Sequence, residues 1–185
     1  MLDEIKTSQV AGYILSKESN KTMDILKLMK LLYFVDRASL VKYGEPISYD
    51  NMVAMPHGMV LSNTYSLSTG SIKSQPGGWD SWISDRSNHK LSLKKEISSK
   101  NDFDSLSNAD LEIIDDVLKE YGNKSGFELA DLQPNTEICP EWKDPNGSSI
   151  PINYYDIFVA LGKNKKEASM LTKRIEEQNA ISEMF

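Results

Sequence analysis

The segment TMDILKLMKLLYFVDRASLVKYGEP, residues 22–46, constrains the fold more than any other part of the chain. Its apolar residues leave only a narrow polar stripe through Asp24, Lys27 and Lys30, so a helix here has to be covered on most sides. Gly44 and Pro46 supply a left-handed cap and a stop. We therefore predict a buried central helix over about residues 22–43.

Further helices are predicted on both sides of this segment. Residues 2–17 and 165–183 have amphipathic spacing, and the second of these is the predicted C-terminal amphipathic helix. Ser107 with Asp110 and Ser125 with Glu128 have the spacing of capping boxes, which predicts helices that begin at these serines. A further helix is expected after Asn153. The chain should therefore be mainly α, a single-domain helical bundle over residues 1–185.

One β-hairpin is predicted over about residues 79–95. In WDSWISDRSNHKLSLKK, His89, Leu91 and Leu93 alternate with polar residues, and SDRSN is rich in turn formers. Trp79 and Trp82, at the start of this stretch, have two interpretations. They belong either to a local core or to an anchor for a partner, because tryptophan is common in binding hot spots.

The stretch VAMPHGMVLSNTY, residues 53–65, raises the question of chemistry, because it places a histidine beside a proline and a glycine. We predict that Val53 and Met55 end an extended segment, that residues 56–58 reverse the chain, and that a helix starts at Val60. Gly58 should adopt a conformation that other residues resist. His57 is then a turn residue with a local hydrogen bond.

The composition excludes several classes of protein. With one cysteine, Cys139, and two histidines, the chain has no internal disulfide and no paired metal ligands, and we expect neither a metal nor a cofactor. A net charge of -6 argues against a general nucleic-acid surface. No segment has the roughly 20 apolar residues of a membrane span, and a cytoplasmic protein is expected.

Three blocks of sequence, in order, resemble the SocA-like antitoxin domain, also called the Panacea domain. The first is KLMKLLYFVDRASLVKYGEPISYDNMVAMPHGMVLSNTY, the second LSNADLEIIDDVLKEYGNKSGFELADL and the third EICPEWKD, and the resemblance covers about residues 11–160. The positions that match the family pattern and should be structural are Tyr33, Asp36, Tyr43, Gly44, Pro46, Met55, Gly58 and Trp142. The chain departs from the pattern at Met59, where the family prefers proline, and at Leu132, Gln133 and Pro134, where a Thr-His pair is common.

The resemblance implies a function by binding. Family members neutralise toxins that are encoded beside them, and in at least one branch the antitoxin delivers its toxin to a protease. We therefore expect a bacterial or prophage antitoxin, not an enzyme, that contacts a cognate toxin directly. The candidate contact residues, in order of preference, are those of the hairpin, the acidic helix and the C-terminal helix: Trp79, Trp82 and Ile83; Asp115 and Asp116; Leu171 and Ile175.

Two alternative functions are also compatible with the sequence. A phage or mobile-element enzyme with hydrolase or nucleotide-related activity would use His57 or Cys139, the side chains best suited to nucleophilic or acid–base chemistry. A DNA-binding regulator of its own operon is the other alternative, although the chain carries no added basic module.

Overall fold

The computed structural model describes residues 2–84 and 86–182. Within these ranges the chain is mainly α-helical with two small antiparallel sheets. The helices are α1 (Glu4–Ser16), α2 (Ile25–Tyr43), α3 (Ser62–Ser68), α4 (Trp79–Trp82), α5 (Asn108–Tyr121), α6 (Gly126–Leu132), α7 (Tyr154–Ala160) and α8 (Lys165–Ser182), with a short 3-10 helix at Lys100–Asp102. The strands are β1 (Thr22–Asp24), β2 (Met52–Met55), β3 (Gly58–Leu61), β4 (Lys90–Ser92) and β5 (Ile150–Ile152).

Helix α2 has twelve buried residues among its nineteen. It contacts α1, α3, α5 and α6 as well as β1 and β3. The Asp24 side chain caps its first turn, and Gly44 closes it in the left-handed region with φ 74°. The helix begins three residues later than predicted, because residues 22–24 form β1, which pairs with β4 about 70 residues further along the chain.

The serine caps were predicted correctly. Ser107 with Asp110 and Ser125 with Glu128 both form complete capping boxes, and the Asn153 side chain caps α7. Helix α8 starts at Lys165 as expected, while Glu183, its predicted end, lies outside the described residues. These ends were predictable because a capping contact spans only three residues.

The predicted hairpin over residues 79–95 is wrong in its first part. Residues Trp79–Trp82 form a helical turn instead of a strand. The backbone N–H of Trp79 donates to the Glu4 carboxylate at 2.9 Å. Ile83 then bridges to Leu93 and Ser87 to Lys90, so a narrow hairpin remains between Ile83 and Leu93. The Glu4 contact comes from a distant helix, which is why local alternation did not reveal the turn.

Pro56 and His57 form the turn that joins β2 to β3, and Gly58, predicted to be part of the turn, is the first residue of β3, opposite Met55. Val60 and Leu61 belong to β3, so the next helix begins at Ser62 and not at Val60. Strand β5 pairs with the other edge of β2, giving the order β3-β2-β5. The sheet thus connects the turn to the C-terminal part of the chain.

Candidate functional site

Asp36, the aspartate of the family pattern, is buried and ties α2 to the segment after Pro46. Its carboxylate accepts hydrogen bonds from the backbone N–H groups of Ile47 and Ser48, at 3.0 and 2.9 Å, and from the Ser48 hydroxyl. Burial raises the pKa of Asp36 to about 6, despite these donors, which lower it. The hydrogen bonds of Asp36 therefore hold the segment that follows Gly44 against α2.

Tyr33 belongs to a buried polar network that the sequence did not reveal. Its hydroxyl donates to Glu141 at 2.7 Å, and Arg37 Nε donates to the same carboxylate at 2.6 Å. The pKa of Tyr33 is raised well above its usual value by burial and by the negative charge of Glu141. Beside Glu141, the Trp142 indole N–H donates to the Met55 carbonyl at 3.4 Å. The network joins α2 and the β2–β3 turn to the loop after α6.

The two departures from the family pattern meet in space. Gln133 Oε1 accepts a hydrogen bond from the Met59 N–H at 2.7 Å, a donor that proline lacks. Gly58, with φ 89°, lies so close to Gln133 that an added Cβ would be 2.7 Å from the Gln133 Cβ. Lys30 donates to the Met59 carbonyl at 3.1 Å. Both backbone groups of Met59 are thus held by buried side chains.

The residues ranked first as toxin contacts are not at the surface. Trp79, Trp82 and Ile83 have only 1–2% of their surface exposed, and the Trp82 ring stacks on Phe103 with a centroid distance of 5.5 Å. Gly12 of α1 allows this approach, because an added Cβ there would lie 2.9 Å from the Trp82 ring. Of the two interpretations of the tryptophans, the structure supports a local core.

The two predicted acidic contact residues on α5 lie in different environments. Asp115 accepts the Tyr13 hydroxyl at 3.0 Å and forms an ion pair with Lys17 at 3.2 Å. Asp116 is exposed and forms no ion pair with another residue of the described ranges. Asp115 therefore connects α5 to α1, whereas Asp116 faces solvent.

The apolar side of α8 faces the rest of the chain. Ile175 is fully buried, and Leu171 is half-buried beside Gly44, where an added Cβ would lie 2.8 Å from Leu171 Cδ2. Tyr43, next to Gly44, remains 41% exposed. The structure therefore places Ile175 in the core and leaves only part of Leu171 accessible.

The two side chains considered for catalysis lie in different environments. Cys139 is fully buried, and burial together with the negative charge of Glu141 raises the pKa of its thiol to about 12. The thiolate, which is the nucleophile, is therefore scarce at neutral pH. His57 lies exposed in the β2–β3 turn, and the described residues offer its side chain no hydrogen bond, contrary to the local bond expected from the sequence.

A pocket of about 220 Å³ opens beside this turn. Leu26 and Met29 of α2 form one wall, and Met55 and Pro56 form another. Tyr65 of α3 completes the site with Lys30, His57 and Arg86. The turn that carries the family pattern is therefore also the edge of a cavity, which sequence alone did not indicate because its walls come from distant segments.

No described helix is both long and apolar enough to cross a membrane. Residues that the structure describes form no group of three or more histidine, cysteine, aspartate or glutamate side chains suited to a metal ion. The buried network, the β2–β3 turn and the adjoining pocket form the candidate site.

The chain was compared with known families, curated proteins and solved structures. No curated protein and no solved structure matched it. The family model described as antitoxin SocA-like, Panacea domain, matches residues 28–143, which include most of α2, the β2–β3 turn, the capped helices α5 and α6 and the Glu141–Trp142 loop. Because this match spans more than half of the chain, the protein belongs to the SocA-like antitoxin, Panacea domain family.

Proposed function

We propose that this protein is the antitoxin of a bacterial or prophage toxin–antitoxin pair and that it neutralises its toxin by direct binding. The observation that carries the proposal is the family match over residues 28–143. Tyr33, Asp36 and Trp142, three of the motif positions, all make side-chain hydrogen bonds within the fold. Such contacts support a rigid scaffold, which lowers the entropy cost of binding a partner.

We further propose that residues 1–185 act as one domain built around α2, in the cytoplasm. Support comes from the hydrophobic core, which includes Val10 of α1, Leu31 of α2, Ile114 of α5 and Ile175 of α8. A toxin bound on this scaffold would be presented as a complex to any protease that recognises it. We propose that the toxin is delivered to the protease in this complex.

The toxin-contact surface that we propose contains those predicted contact residues that are accessible to solvent. Asp116 is exposed, and Leu171 is partly exposed, whereas the tryptophans and Ile175 are buried. Exposed acidic residues would speed encounter with a basic toxin, because opposite charges steer association. We therefore retain the exposed face of α5 and the Leu171 region of α8 as candidate surfaces.

Co-expression with the neighbouring reading frame tests the proposal. The neighbour alone should stop growth, and growth should return when this protein is expressed with it. The two purified proteins should then form a complex during gel filtration. A neighbour that is harmless alone, or still lethal in the presence of this protein, would contradict the proposed function. Degradation of the toxin after rescue, measured in strains that lack individual proteases, separates simple blocking from delivery.

A further inference from the structure

The pocket beside the β2–β3 turn has a charge opposite to that of the chain. The net charge is -6, yet the described residues that line the pocket include no carboxylate. Its ionisable side chains are Lys30, His57, Arg86 and the phenol of Tyr65. Arg86 is exposed, contacts His89 Nδ1 at 2.6 Å and has no ion pair with any other described residue. The mouth of the pocket therefore offers a cation for a negative group.

The size of the pocket favours a single side chain as its occupant. Its volume of about 220 Å³ is below the roughly 300–1,000 Å³ of sites that take drug-sized ligands. The walls are apolar, since Leu26, Met29 and Met55 line it, and Tyr65 at its side is 39% exposed. An apolar side chain that fills a pocket beside a rim of polar groups is the usual form of a binding hot spot.

We propose that this pocket is the anchor site for the toxin, and this inference rests on the proposed antitoxin function. The pocket takes one apolar side chain of a toxin segment, and Arg86 pairs with a carboxylate beside that side chain. The partner is thus recognised by an apolar residue next to an acidic one. This contact is separate from the exposed face of α5, which would attract the basic parts of the same partner.

Two pairs of variants in the full chain test the anchor. Arg86→Glu reverses the charge at the mouth, and Lys90→Glu makes the same change on an exposed residue of the same hairpin that does not line the pocket. Tyr65→Ala removes a wall, and Ile5→Ala truncates a large side chain of similar exposure, 38%, on α1 outside the pocket. Affinity for the purified product of the neighbouring gene is measured by titration calorimetry, and folding by thermal melting.

Arg86→Glu and Tyr65→Ala should each weaken toxin binding by at least about tenfold, as expected for hot-spot contacts. The control variants should change affinity by less than about threefold. Arg86→Glu should also reduce the salt dependence of binding, because a charge pair is lost. If Arg86→Glu lowers the melting temperature, the toxin affinities of Tyr65→Ala and its control are the test of the anchor.

The possible failures are distinguishable. If the wild-type protein binds its toxin and rescues growth, while the pocket variants bind equally well, the antitoxin function stands and the anchor is overturned. If the wild-type protein neither binds nor rescues, both proposals are overturned. Hexanoate serves as a small-molecule probe of the pocket. If hexanoate binds there while Tyr65→Ala has the same toxin affinity as the wild type, the occupant of the pocket is not a segment of the toxin, and the anchor is overturned.

Discussion

Replacing Lys30 with methionine should stabilise the fold at neutral pH. Lys30 is 1% exposed, and the described residues offer its amine one hydrogen-bond acceptor, the Met59 carbonyl at 3.1 Å. Burial lowers the pKa of the amine from 10.5 to about 7. Methionine has a similar length, carries no charge and adapts to irregular spaces. The variant therefore removes a buried ionisable group with little change in packing.

The lowered pKa of Lys30 determines the size and the sign of the expected change in the free energy of unfolding. A pKa lowered from 10.5 to about 7 corresponds to roughly 5 kcal/mol of destabilisation at pH 7 and below. Loss of the hydrogen bond to Met59 costs about 1–3 kcal/mol. The expected net gain for Lys30→Met at pH 7 is therefore about 2–4 kcal/mol.

The gain should depend on pH. The unfolded chain keeps the Lys30 proton up to about pH 10.5, and the folded chain keeps it only up to about pH 7. Between these values the unfolded state binds more protons, so this group makes the wild-type free energy of unfolding rise with pH. The variant lacks that rise. Its advantage should shrink above pH 7 and vanish at roughly pH 9, where the lost hydrogen bond outweighs it.

Urea unfolding followed by tryptophan fluorescence, at pH values from about 6.5 to 9.5, measures this difference. Lys119→Met, which replaces an exposed lysine on α5, is the control and should change stability by less than about 0.5 kcal/mol at every pH. A Lys30→Met variant that is less stable than the wild type by a constant amount across the series would refute the reasoning. That result would mean that the buried amine ionises as it does in the unfolded chain.

Three other substitutions test the positions assigned above. Trp82→Ala should reduce the free energy of unfolding by about 3–5 kcal/mol, because the ring is buried; near-wild-type denaturation would contradict its core position. Gly58→Ala should cost at least about 2 kcal/mol, from its positive φ and its approach to Gln133; an unchanged melting temperature would show that the turn adapts. Asp116→Lys should slow association with the toxin several-fold with little effect on stability, whereas Glu96→Lys, an exposed reversal elsewhere, should not; equal rates would remove α5 from the contact surface.

Much of the helical fold was predictable from the sequence. The start of α5 followed from Ser107 and Asp110, and the end of α2 from Gly44, because each signal acts within one turn of helix. The strand β1 was missed. Residues 22–24 directly precede the apolar residues of α2 in the chain, and only their pairing with β4, far along the chain, makes them a strand.

The candidate site was less predictable. Sequence identified the turn around Gly58 and the positions of Tyr33 and Asp36, yet it did not reveal that Glu141 joins Tyr33 to Arg37. The Tyr33 and Arg37 spacing on one helix face was the only local signal for this network. The pocket had no signal at all, since Leu26, Met55 and Arg86 come together only through folding.

The sequence by itself determined where most helices begin and end, the position of the Gly58 turn and the family resemblance, because these depend on residues within a few positions of one another. Only the tertiary structure decided that Trp79, Trp82 and Ile175 are core and that Asp116 is exposed. It also brought Met59 to Gln133. Burial depends on which distant segments cover a residue, and neither spacing nor composition specifies that contact.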